Sequence, residues 1–125
     1  MYGIGVDIIT VSRIEKSLEN SGFIDMVYGK YEQEAFCTGT FKVQSLAANY
    51  GAKEAFSKAL GTGVRHFALN EVEILRDEWG KPYFYFTGRA KKIVEEKHLT
   101  FNLSLSHEGG KAIAFVTAEQ SKDGL

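Results

Sequence analysis

The sequence predicts an α+β fold in which one long central helix packs against a mostly antiparallel sheet. Three observations carry this expectation. The stretch from about Phe41 to Leu60 repeats small and apolar residues at helical spacing. From Glu71 onward the chain falls into short segments that alternate polar and apolar residues, separated by turn residues. The opening run Tyr2 to Val11 is rich in glycine and β-branched residues, as a buried strand is.

The elements follow in order. The first strand breaks near Thr10 to Ser12, where Ser12 can cap a helix over roughly Arg13 to Asn20 that ends at Ser21-Gly22. A second helix covers Tyr31 to Phe36 and stops near Gly39. The long helix closes at Gly61, a C-terminal cap. Glu71 to Leu75 and the aromatic-rich Tyr83 to Phe86 form a hairpin around Asp77 to Pro82. A short helix, Arg89 to Glu96, precedes two strands, Phe101 to Ser106 and Ala112 to Val116, joined by Glu108-Gly109-Gly110-Lys111. No repeat or linker divides the chain, so a single domain spanning residues 1–125 is expected.

Composition narrows the function. Hydrophobic residues make up 44% and charged residues 25% of the 125, an ordinary globular balance. With a net charge of -1, nothing points to non-specific nucleic-acid binding, so any anion must be met locally. Cys37 is the only cysteine, which excludes an intrachain disulfide and argues against a cysteine-based zinc site. The N-terminus lacks a basic segment followed by an apolar one, and no stretch approaches the ~20 apolar residues that cross a bilayer. A cytoplasmic protein is expected.

On a helical wheel, Phe41, Ala48, Ala52, Ala55, Phe56 and Ala59 share the side of the long helix that should face the core. Glu54 and Lys58 lie one turn apart, among Val43, Ala47, Tyr50 and Gly51 instead of other charges. Read alone, the pair is a common surface pairing worth about 0.3–0.5 kcal/mol. Gly61-Thr62-Gly63 is no phosphate loop by its own pattern, because it follows a helix, whose C-terminus repels phosphate. Gly3-Ile4-Gly5 has Ile8 where a third glycine would mark a dinucleotide site. Both glycine pairs are read as serving tight backbone geometry.

Three separated segments together resemble the 4'-phosphopantetheinyl transferase superfamily, and specifically its small branch, holo-acyl-carrier-protein synthase. They are Gly5-Val6-Asp7-Ile8 with Arg13 following, Ala52-Lys53-Glu54-Ala55-Phe56-Ser57-Lys58-Ala59-Leu60-Gly61-Thr62-Gly63, and Ser104-Leu105-Ser106-His107, with Gly80-Lys81-Pro82 in support. The resemblance implies a homotrimer with coenzyme A bound where subunits meet, and transfer of its phosphopantetheine arm to a serine of an acyl carrier protein. It implies Mg2+ held by Asp7 and Glu54, as suits a hard cation that takes one or two carboxylates and completes its shell with phosphate and water. Glu54 would also take the serine proton, directly or through a metal-bound water. Lys58 would neutralise or protonate the leaving oxygen. Tyr50, Lys53, Ser57, Lys58, Gly61, Gly63, Pro82, Ser106 and His107 are the implied coenzyme A contacts. Arg13 and Lys16 would dock the carrier.

The chain departs from the family twice. Asn49-Tyr50 stands where an arginine and an aromatic are usual; if that arginine meets a coenzyme A phosphate, as the resemblance implies, Lys53, Lys42 or a residue of a neighbouring subunit must compensate, or affinity is weaker. The helix after Asp7 mixes Arg13 and Lys16 with Glu15 and Glu19, which predicts weak electrostatic steering of an acidic carrier. Two other readings stand beside the transferase: an idle binder of coenzyme A or a carrier, and a small hydrolase using Ser106 or Cys37 with His107. Ser106 and His107 are adjacent on a strand and point to opposite faces, which disfavours the hydrolase.

Overall fold

The computed structural model describes residues 1–38 and 42–121. Its elements are β1 (Gly3–Thr10), α1 (Val11–Ser17), α2 (Phe23–Val27), α3 (Lys30–Thr38), α4 (Val43–Leu60), β2 (Val72–Arg76), β3 (Pro82–Phe86), α5 (Gly88–Glu96), β4 (Leu99–Glu108) and β5 (Lys111–Gln120). β1, β5 and β4 form one antiparallel sheet in that order, and β2 pairs antiparallel with β3 in a second. The expected stop near Gly39 and the expected helical Phe41 fall outside the described residues. Among those described, no helix is long and apolar enough to cross a membrane.

The small side chains of α4 decide how the core closes. Ala52, Ala55 and Ala59 are buried against Ala114, Val116 and Ala118 of β5, so that helix and sheet approach closely. The approach is tighter still at β1. A Cβ built on Gly5 would stand 2.9 Å from both the Ala55 carbonyl carbon and the Ala59 nitrogen, where carbon contacts ordinarily begin at about 3.5 Å. The Gly3-Ile4-Gly5 pair therefore serves backbone contact, as its place in the sequence suggested. Phe56, fully buried, meets the rings of Phe67, Phe84, Phe86 and Phe101 at centroid distances of 4.8–5.7 Å, tying α4 to the hairpin and β4.

Several boundaries differ from those expected. α1 starts at Val11, with Thr10 in the cap position and no side-chain cap bond, so Ser12 lies inside the helix instead of capping it. The five-residue α2 had no period to betray it; Phe23 at its start stacks on Tyr50 and meets Tyr28 edge-on. β4 and β5 run ten residues each, because the register that buries Ala112 to Ala118 continues pairing in both directions. Cys37, whose simplest reading from the sequence is a buried or half-buried small hydrophobe, is exposed.

The sheet face turned away from α4 is apolar. Ile4 (57% exposed), Val6 (52%) and Ile8 (58%) of β1 stand beside Ile113 (39%) and Phe115 (44%) of β5, with Val6 opposite Phe115 and Ile8 opposite Ile113. Cross-strand pairs of this kind form a contiguous patch.

Candidate active site

Strand alternation places Asp7 on the same side of β1 as Gly5 and Ile9, facing α4. There the Lys58 ammonium, reaching back from the last turn of α4, donates to the Val6 carbonyl at 2.9 Å and to Asp7 Oδ1 at 3.2 Å. Glu54 lies one turn earlier on the same helix, half-buried. The Tyr50 phenol donates a hydrogen bond to the Glu54 carboxylate; burial first, then the charge of Glu54, and further on that of Asp7, push the phenol above its usual range. Two carboxylates from different elements thus bear on one hydroxyl. Arg13 lies over the Tyr50 ring at 5.8 Å, which brings α1 to the rim of this group, while Lys16 is exposed on the same short helix.

This donor set fits a divalent oxygen-seeking cation. Among the described residues no group of three or more His, Cys, Asp or Glu side chains is arranged to hold a metal, so no all-protein cage exists. Two carboxylates with an ammonium beside them are what Mg2+ accepts when phosphate and water supply the rest of its shell.

A second group lies across the sheet. A cavity of about 230 Å³ is lined by Ser45 of α4, Arg76 and Pro82 at the turn end of the hairpin, and Leu105, Ser106 and His107 of β4. Asp7, Glu54 and Lys58 do not line it. β1 forms one edge of the sheet and β4 the other, with β5 between them. The two groups are therefore separated within one chain. Gly61 (φ 91°) and Gly63 (φ 67°) both donate to the Ser57 carbonyl, terminating α4, and they line an open depression with Arg65 and His66.

Two expected coenzyme A contacts are corrected. Lys53 is fully buried: its ammonium donates to Glu32 Oε1 at 2.7 Å and to the carbonyls of Val72 (2.6 Å) and Leu69 (3.1 Å). It is a structural cation closed to ligands, and it cannot replace an arginine missing at position 49. Ser57 is 3% exposed and its hydroxyl donates to the Glu54 carbonyl at 2.6 Å, so it too faces inward.

Around Lys53 lies a polar network that the sequence did not announce. The buried Glu32 carboxylate also accepts from Asn49 Nδ2 (2.9 Å), Gly29 N (3.0 Å) and Ile74 N (3.1 Å). Burial pushes Glu32 up, while Lys53 and the backbone N–H groups pull it down. Burial in turn lowers Lys53, which Glu32 opposes. Glu73, also buried, accepts from the Glu32 backbone N–H at 2.9 Å. One signal was available: Val72, Ile74 and Arg76 share a strand face, so Arg76 continues an inward-pointing apolar row as a cation.

With this geometry in place, the chain belongs to the 4'-phosphopantetheinyl transferase superfamily, whose family model matches residues 3–116, and it is an enzyme of that class. Within the superfamily it falls among the holo-[acyl-carrier-protein] synthases. It is 41% identical to that synthase of Clostridium beijerinckii over 120 residues, 95% of this chain and 98% of the relative. Its fold matches the crystal structure of the Neisseria meningitidis synthase with a TM-score of 0.88 at 35% identity, covering 96% of this chain and 99% of the other. The Bacillus anthracis synthase, solved in complex with CoA (3',5'-ADP), matches with a TM-score of 0.81 at 31% identity, over 96% and 97% of the two chains.

Proposed function

We propose that this enzyme transfers the 4'-phosphopantetheine arm of coenzyme A to a serine of an acyl carrier protein, releasing adenosine 3',5'-bisphosphate, with Mg2+ required. The observation that carries this reading is the convergence of Asp7, Glu54 and Lys58 where β1 meets α4. Asp7 and Glu54 would hold the cation, which when bound would neutralise charge on the pyrophosphate. The Glu54 carboxylate takes the proton of the carrier serine. That oxygen then forms a bond to the phosphorus on the pantetheine side, and the bond from this phosphorus to the bridging oxygen breaks. The bridging oxygen leaves with the adenosine bisphosphate, and the Lys58 ammonium neutralises the charge that develops on it. Tyr50, donating to Glu54, orients that carboxylate.

Pro82, Ser106 and His107 are assigned to coenzyme A, with Gly61 and Gly63 shaping the end of α4 beside it. Arg13 and Lys16 are assigned to the carrier, since Arg13 stands at the rim of the carboxylate group. A homotrimer is part of this reading, and two features support it. The apolar face of β1 and β5 needs a cover, and the carboxylate group and the His107 cavity lie at opposite edges of one sheet. Neighbouring copies can bring the edge of one against the cavity of the next.

The test is to incubate the protein with coenzyme A, Mg2+ and an apo carrier and weigh the carrier. A phosphopantetheine-sized gain that disappears in Glu54→Gln is expected. No gain with several carriers, despite measured coenzyme A binding, would identify an idle binder and end the proposal.

A further inference from the structure

We infer that Arg76 is a phosphate-binding residue for coenzyme A, held in its binding orientation by Asn49. This rests on the function proposed above and names a residue outside the expected site. Arg76 is half-buried at the end of β2 and lines the cavity that contains Ser106 and His107. One arm of its guanidinium donates to Asn49 Oδ1 at 2.8 Å, and the other reaches the Ile74 carbonyl at 3.5 Å. Among the described residues no carboxylate lies within ion-pair distance of it. The charge of Glu32 favours the guanidinium from behind Asn49 without touching it, so this cation, partly removed from water, can still take an anion in direct contact.

Asn49 fixes the orientation. Its amide nitrogen donates to Glu32 Oε2 and to the Ile74 carbonyl, so its oxygen can only face Arg76. Glu32 is fixed in turn by Lys53 and two backbone N–H groups. The chain Lys53, Glu32, Asn49, Arg76 therefore runs from the interior to the cavity wall, and its last member presents a planar fork suited to phosphate oxygens. Ser45, Ser106 and His107 line the same space, and Pro82 and Leu105 give it apolar walls. The cation missing at position 49 is thus delivered from β2, through the residue that replaced it.

The experiment compares wild type, Arg76→Gln, Arg76→Lys and Asn49→Ala by calorimetric titration with adenosine 3',5'-bisphosphate and by steady-state transfer with varied coenzyme A. Loss of a charge-assisted hydrogen bond predicts that Arg76→Gln weakens the bisphosphate and raises KM for coenzyme A by about 10- to 100-fold, with kcat falling far less. Arg76→Lys recovers part of the affinity, and Asn49→Ala loses some with the guanidinium intact. A folding role alone would lower the thermal midpoint and leave KM of the folded fraction unchanged. If wild type transfers the arm and folded Arg76→Gln or Arg76→Lys keeps wild-type KM and bisphosphate affinity, this assignment is wrong and the proposed function stands. If wild type binds no coenzyme A, both fall.

Discussion

Replacing Gly5 by alanine should separate chemistry from stability in a measurable way. The new Cβ would collide with the Ala55 carbonyl oxygen and lie 2.9 Å from two further backbone atoms of α4, so strand and helix must part by about 1 Å or more to restore ordinary contact. Neither side can yield locally, because both contacts are backbone. Asp7 is two residues along β1, and Glu54 and Lys58 each adjoin one of the crowded α4 residues. The same movement would stretch the 3.2 Å Lys58 to Asp7 bond to about 4 Å and shift Glu54 with it. Misplacement on this scale predicts a fall in kcat/KM of about 100-fold, with an overpacking cost of about 1–3 kcal/mol. Carrier modification rates and urea unfolding measure the two effects. Gly22→Ala is the control: Gly22 has φ 88° with nothing within 4 Å of a Cβ, so it should cost about 1–2 kcal/mol and leave kcat/KM unchanged. A folded Gly5→Ala with kcat/KM within about threefold of wild type would refute the reasoning that close approach of β1 and α4 sets the site.

Further outcomes follow from the same geometry. Lys53→Met strands a buried carboxylate and should destabilise by about 3–5 kcal/mol in urea titrations, and adding Glu32→Leu should restore part of that. Lys58→Met should behave oppositely: its ion pair is half-exposed and worth under about 1 kcal/mol, yet transfer should drop by about 100-fold or more. Phe115→Asp, which puts a charge on the apolar sheet face, should convert the proposed trimer to monomers in sedimentation velocity and abolish transfer with it. Association with an acidic carrier should show shallow salt dependence in stopped-flow, because Glu15 and Glu19 offset Arg13 and Lys16 on the first helix; steep dependence would contradict this.

Local pattern made much of this fold legible. The long helix, the hairpin and the two final strands each carry their own period or turn chemistry, and each appears within a few residues of its expected place. α2 does not, since five residues held by Phe23, Tyr28 and Tyr50 have no period to detect. The wheel placed Tyr50, Glu54 and Lys58 on one side of the long helix, and only the family resemblance made them more than a surface pair. Lys53 shows the limit. On a wheel it is only the neighbour of Glu54, and its burial depends on Glu32, 21 residues away, and on carbonyls of the segment that follows α4. Arg76 was hidden for the same reason, since its orientation comes from Asn49 across 27 residues.

The central claim is that one transfer site is assembled from the Asp7, Glu54 and Lys58 edge of one copy and the His107 cavity of another. Co-expressing two inactive variants, Asp7→Asn and His107→Ala, tests it most directly. Random assembly of a closed trimer gives about a quarter of the interfaces one intact edge and one intact cavity, so transfer should return to about a quarter of the wild-type rate. Activity no higher than that of either variant alone, in mixed assemblies verified by mass, would contradict the account.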